Sequence, residues 1–324
     1  PYVGQVWYNQ NLGDLRVRKT NLNNAWSTGG NMNTARAGLG GAGTQTAALA
    51  FGGTAPPFTG VTESYNGSAW TTVNPMNTAR REIASAGTTT SALASGGDAP
   101  GASALTESWN GSSWTEVADL NTARRGTAGC GASNTSALTF GGGPPNKGET
   151  ESWNGSAWTE VSDLNQVRKQ LAGFGIQTSA LAFGGQTPAP ANTAETELWN
   201  GTSWFQVNNL NEVKRLLTGA GTTNTAGLAI GGEGPPLLSS TESWNGAVWT
   251  ETNNLNTARN SLAGAGTNTA ALAFGGSLPG SPTTATEEWN AGITVGAWVT
   301  GGNMNQKRSA SAGAGTSRSS AIVF

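Results

Sequence analysis

The sequence predicts an all-β chain closed into a seven-bladed β-propeller of four-stranded antiparallel blades, and three observations predict it. A tryptophan recurs at Trp26, Trp70, Trp114, Trp158, Trp204, Trp249 and Trp298, in steps of 44, 44, 44, 46, 45 and 49 residues. A fixed period of this length marks a repeat architecture. Within each period, tiny residues and indoles occupy separate short segments. No segment is long and periodic enough for a helix.

The unit from Asn77 to Leu120 shows each element in turn. "NTARREIASAG" leads into a first strand, A, of small alternating residues; "TTT" turns the chain, and "SALASGG" reads as strand B. A Pro/Gly loop, "DAPGASA", precedes strand C, "LTESWNG", which Asn110-Gly111 joins to strand D, "SSWTEV". Asn-Gly accepts the positive φ angles of a tight hairpin, and it returns at Asn66-Gly67, Asn154-Gly155, Asn200-Gly201 and Asn245-Gly246. Strand A is always small ("IASAGT", "TAGCGA", "LAGAGT"), whereas C and D carry the indoles. Radial packing accounts for this gradient: innermost strands crowd an axis, and blades splay outward, leaving wedges for large flat side chains.

Seven tryptophans predict seven blades, with the two chain ends sharing the last. Arg308 to Thr316 would be its strand A and Ser319 to Phe324 its strand B, with Leu15 to Lys19 as C and Ala25 to Thr28 as D. Residues 1–14 read as an N-terminal arm or hairpin, and 15–324 as one propeller whose closing blade combines 308–324 with 15–28. Closure hides strand edges that an open stack would expose. The chain stops at Phe324 within an apolar run, as a piece of a longer protein would.

Of the 324 residues 36% are hydrophobic, 11% are charged and 48 are glycine, a composition able to form a core. A net charge of −2 offers no electrostatic case for nucleic acid or an anionic membrane. There is no secretory signal pattern and no apolar run of membrane-spanning length. Cys130 has no partner for an intrachain disulfide; Phe174 and Ala220 hold its place in other units, so it reads as a small buried filler.

The order of an apolar segment with double glycine ("LAFGG" at 49–53, 181–185 and 272–276), "ESWN", a Trp and an Arg after a short turn resembles the kelch repeat. The opening "GQVWYNQNLGDLRVRK" leading into "AWSTGGNMNTAR" is similar to the hairpin that introduces kelch-like arrays in structural proteins of tailed, particularly marine, bacteriophages. These resemblances imply a virion component: a capsid decoration, tail fibre or host-recognition module on the particle surface.

Six strand-C carboxylates, Glu63, Glu107, Glu151, Glu197, Glu242 and Glu287, recur alongside Arg36, Arg80, Arg124, Arg168, Lys214, Arg259 and Arg308. A catalytic carboxylate is needed once or twice, so a repeated set reads as a structural ring of ion pairs. With no histidine and only Tyr2, Tyr8 and Tyr65, His/Tyr copper chemistry, a Ser-His-Asp triad and a histidine base are excluded. Glu82, Asp98, Glu149 and Glu233 break the repeat and keep paired-carboxylate chemistry open. The expectation is a non-enzymatic protein without cofactor or metal.

Function is expected in the B–C loops, which vary most in length and chemistry. The candidate binding face comprises Pro56, Pro57, Phe58, Asp98, Pro144, Pro145, Lys147, Glu149, Pro188, Pro190, Glu233, Pro235, Leu237, Leu238 and Leu278. Prolines lower the entropy lost on ordering such loops. The apolar tips either contact a partner or fold down over the channel mouth. Expected partners are other virion proteins or a host receptor, glycans included, with homo-oligomers allowed and neither nucleic acid nor membrane insertion expected. The alternatives are a cellular kelch-type interaction scaffold and a carbohydrate-binding propeller.

Overall fold

The structure, a computed structural model, describes the backbone of residues 6–9, 14–300, 313–314 and 322–323, with side chains for 24–292. Two compact units emerge: residues 26–290, and residues 1–25 with 291–324. The larger unit is a β-propeller of six blades. Strands A to D of blade 1 are Gly40–Gly43, Ala48–Phe51, Thr62–Tyr65 and Trp70–Val73. Blades 2, 3, 4 and 5 repeat this order, beginning at Ala84–Thr88, Ala128–Ser133, Ala172–Ile176 and Thr218–Thr223. Blade 6 takes A from Ala263–Gly266, B from Ala270–Phe274, C from the start of Thr286–Thr300 and its outer strand from the end of Asp14–Thr28.

Small-to-large grading is realised in the packing. A Cβ added at Gly264 would lie 2.8 Å from the Gly219 carbonyl oxygen of the neighbouring blade, and one at Gly219 would lie 2.9 Å from that of Gly173. The inner strands therefore approach backbone to backbone. Outward, each strand-C aromatic pairs in register with the strand-D indole, as in Trp109↔Trp114, Trp153↔Trp158, Trp199↔Trp204 and Trp244↔Trp249. The strand-D indoles also meet a phenylalanine on the preceding blade: Trp114 on Phe51, Trp204 on Phe140 and Trp249 on Phe183, with centroids 4.9–5.0 Å apart.

A closed ring of hydrogen bonds joins the blades. The indole Nε1 of Trp70, Trp114, Trp158, Trp204 and Trp249 donates to Oγ1 of Thr286, Thr62, Thr106, Thr150 and Thr196, each on the preceding blade. Trp26 completes the circuit by donating to Thr241 of blade 5 at 3.1 Å. Its ring lies 5.4 Å from that of Trp289 in strand C of blade 6, and the Gly29 amide donates to the Thr286 carbonyl.

Six blades replace the seven expected, and the predicted closing blade does not form. The reason lies at the last strand-C terminus. Elsewhere Asn-Gly folds the chain straight back into strand D, but here "WNAGITVGAW" has an alanine between Asn290 and Gly292, and the strand runs on to Thr300. The outer position of blade 6 is thus left to Trp26–Thr28. Strand A of blade 6 packs directly against strand A of blade 1, leaving no room for another blade.

Leu15 to Lys19 is not a separate strand C but part of the continuous strand Asp14–Thr28, which pairs with Val6–Asn9 (Val6↔Val17, Asn9↔Asp14). Of the predicted C-terminal strands A and B, only Gly313–Ala314 and Ile322–Val323 are described; they pair with each other in a separate two-stranded sheet. Arg308 lies outside the described residues. No helix among the described residues is long and apolar enough to cross a membrane.

Candidate functional site

Each D–A turn ends in two residues that the strand's alternation sends to opposite sides. The first is the repeated cation, and it goes inward. Arg36–Glu63, Arg80–Glu107, Arg124–Glu151, Arg168–Glu197, Lys214–Glu242 and Arg259–Glu287 are pairs at 2.7–3.3 Å, almost fully buried, each within one blade. The other oxygen of each carboxylate accepts the backbone N–H of Asn33, Asn77, Asn121, Asn165, Asn211 or Asn256 at 2.7 Å, holding the turn that enters the blade. In blades 1 to 4 the guanidinium also donates to a B–C loop carbonyl: Val61, Leu105, Glu149 and Glu195. Burial lowers the arginine pKa values, that of Arg36 to about 10 against the opposing pull of Glu63. Breaking such a pair from one side strands a charge, at a cost of about 3–5 kcal/mol.

The second residue sits against the B–C loops, on the mouth face of the ring. In blades 2 to 5 it is cationic: Arg81, Arg125, Lys169 and Arg215; in blades 6 and 1 it is Asn260 and Ala37. Each forms an antiparallel bridge with the start of its B–C loop, at Asp98, Gly143, Gln186, Glu233, Ser277 and Thr54 respectively. D–A turns and B–C loops therefore share one face. Asp98, 2% exposed, sits between Arg81 at 3.2 Å and Arg125 at 2.7 Å. Burial pushes its carboxyl pKa up, but the Gly101 amide and the two guanidinium groups overcome this, and the net shift is downward. Glu233 pairs with Arg215 at 2.6 Å. Lys169 has neither a carboxylate nor another side-chain partner among the described residues.

One residue further in lies the neck. Gly38, Glu82, Gly126, Gln170, Leu216 and Ser261 form a closed bracelet in which each amide donates to the carbonyl of the residue before it, and Gly38 donates to Ser261, at 2.7–3.2 Å. All six have φ between 52° and 66°. Glycine takes this conformation freely, whereas the other four are held in it by the surrounding ring. At a chain spacing of about 4.8 Å, a hexagon puts the backbone about 4.8 Å from the axis. Below it runs an axial cavity of about 480 Å³, lined by strand A of every blade, with Ser85, Thr127, Cys130 and Phe174 in its wall. Burial raises the Cys130 thiol pKa to about 12, so the group is an inert filler.

The structure divides the sequence-predicted loop residues. Pro56, Pro57, Pro144, Pro145, Pro188, Pro190 and Pro235 are exposed on the loop tips. Phe58 is half-buried beneath the Arg81 guanidinium, 4.9 Å from its ring centroid. Lys147 and Glu149 pair with each other at 3.1 Å. Leu237 and Leu238 extend strand C of blade 5 rather than forming a tip, opposite Glu233 and Gly232; Leu238 is buried against Gly234, and Leu278 is half-buried. Of this set Asp98 and Glu233 form ion pairs with the mouth cations, and Phe58 packs under one of them. The mouth cations and Gln170 had not been singled out in the sequence. Their signal was the doublets "RR", "RR", "RK" and "KR", since adjacent residues in extended backbone face opposite ways.

No protein-family model matches this chain, and no curated protein sequence matches it.

Proposed function

We propose that the chain is a non-enzymatic display module of a virion, a kelch-like propeller on a phage capsid or tail that presents its B–C loop face to a receptor or a neighbouring particle protein. The observation that carries this reading is the division of labour within each blade. A repeated, buried Arg–Glu pair fixes a uniform frame and, in blades 1 to 4, grips the end of the B–C loop through its carbonyl. Loop tips beyond that grip differ in every blade and carry exposed prolines. Binding residues commonly sit on variable loops held by such a scaffold. The mouth carboxylates Asp98 and Glu233 are each committed to guanidinium partners, an arrangement suited to recognition. The kelch-like repeat wording and the phage-like opening hairpin support placement on a particle.

The test is adsorption. Labelled full-length chain is added to a panel of bacterial cells alongside a variant whose blade 1 and blade 5 loops (Pro56–Phe58 and Pro235–Leu237) are replaced by Gly/Ser. Selective adsorption that the loop variant lacks, together with antibody labelling of particles that carry the protein, supports the reading. A chain absent from particles, with no loop-dependent adsorption, refutes it.

A further inference from the structure

Two polar groups at the neck flank one bare position: the Glu82 carboxylate, and the Gln170 amide, whose oxygen accepts from the Arg215 guanidinium at 3.4 Å while its NH2 group donates to no protein atom among the described residues. Among the described residues the Glu82 carboxylate accepts no hydrogen bond and forms no ion pair, although Arg81, Arg125 and Lys169 are near enough to act on it electrostatically. Gly126 follows Glu82 in the bracelet and carries no side chain. A Cβ there would lie 3.2 Å from Gln170 Cγ and 3.6 Å from Glu82 Oε2, so the two side chains converge above it. The next two mouth cations are Arg125, whose side chain is 39% exposed, and Lys169. Their own bridge partners, Gly143 and Gln186, bring no carboxylate; Arg125 reaches to Asp98 on the adjacent blade, and among the described residues the Lys169 side chain forms no hydrogen bond or ion pair beyond its electrostatic action on Glu82.

We propose that this notch, built from Glu82, Gln170, Arg125 and Lys169 over Gly126, binds the terminal residue of an acidic sugar. The inference deepens the display reading by naming a ligand class, and it rests on that reading for its biological sense. A carboxylate and an amide facing one space can accept and donate to neighbouring hydroxyls. A lysine and a half-exposed arginine beside them take a carboxylate through charge-assisted hydrogen bonds. A bare anion meets the Glu82 charge with nothing to offer it. A neutral sugar satisfies Glu82 and Gln170 but leaves Lys169 unpaired. Only a hydroxylated carboxylate serves both sides.

The experiment is calorimetric titration of the full chain with methyl glucuronide, methyl glucoside, inorganic phosphate and a tri-glutamate peptide. The glucuronide is expected to bind at least about tenfold more tightly than the glucoside, a difference of about 1.4 kcal/mol. Lys169→Gln removes that preference, and Gln170→Leu weakens the glucuronide about tenfold. Leucine is compatible with the bracelet, where Leu216 already occupies an equivalent position, so circular dichroism of both variants should match the parent. Equal binding of glucoside, binding of phosphate or peptide in place of the glucuronide, an unchanged Lys169→Gln profile or no binding would each overturn the proposal. Such a failure leaves loop-dependent adsorption untouched. Sugar binding without adsorption would instead sink the display reading alone.

Discussion

Replacing Trp26 by alanine tests the closing seam of the ring. The indole is 6% exposed, stacks obliquely on Trp289 at 5.4 Å and donates to Thr241 at 3.1 Å. A buried tryptophan removes about 150–250 Å² from water, which at about 25 cal/mol per Å² is an upper bound of about 4–6 kcal/mol. Large-to-small substitutions at aromatic core sites cost about 3–5 kcal/mol, so Trp26→Ala should cost about 4. For a unit of this size that lowers the melting temperature by about 8–16 °C. Trp26→Phe keeps a ring in the wedge but deletes the N–H, and should cost about 1 kcal/mol more than simple repacking. Guanidinium and thermal unfolding followed by far-ultraviolet circular dichroism would measure both. The informative control is Trp298→Ala, because the six outer sites of the ring are filled by Trp26, Trp70, Trp114, Trp158, Trp204 and Trp249. Trp298→Ala should leave the main transition in place. A large loss for Trp298→Ala with little change for Trp26→Ala would refute the six-blade seam.

Three further outcomes follow from the same geometry. Gly264→Ala places a methyl 2.8 Å from the Gly219 carbonyl oxygen of the adjacent blade; overpacking of about 1–3 kcal/mol is expected in chemical denaturation, and a neutral result would contradict the backbone-to-backbone contact. Arg124→Met leaves Glu151 buried without its partner and deprives the Glu149 carbonyl of a donor, a loss of about 3–5 kcal/mol that fails as a prediction if the variant melts with the parent. Glu82 has its carboxyl pKa raised by burial, against Arg81, Arg125 and Lys169 and with Asp98 adding to the rise. The native state therefore holds a proton that the unfolded state has released between 4.5 and the higher native value, and stability from this group falls as pH rises through that window. Glu82→Gln should raise the melting temperature at neutral pH, with the gain disappearing below 4.5; a gain that grows on acidification would contradict the sign.

Much of the blade was legible because its rules are local. Asn-Gly between two aromatic segments specifies a hairpin whatever lies around it, and strands C and D pair antiparallel there. The repeated Glu and Arg were readable as structural because each pair forms inside one unit, 27 to 29 residues apart. The neck was not legible. Its bracelet joins residues 44 to 46 apart around an axis, and four of its members hold a left-handed backbone that their identities do not announce. The apolar loop tips were overextended for a related reason: Leu237 and Leu238 read as exposed only until Gly232 and Glu233 are seen to pair with them.

By itself the sequence determined the repeat, the four strands of each unit, their order and the small-to-large gradient across them, because every copy states the same short-range preferences. The number of blades, and which tryptophan seals the ring, were decided only in three dimensions. Ala25–Asn33 and Ala297–Asn305 carry nearly the same words, "AWSTGGNMN" and "AWVTGGNMN", so no local preference can choose between them. The choice is made by closure: six inner strands bring the neck amide of Gly38 within 2.8 Å of the Ser261 carbonyl. Once that bond forms, the circle of six blades is complete.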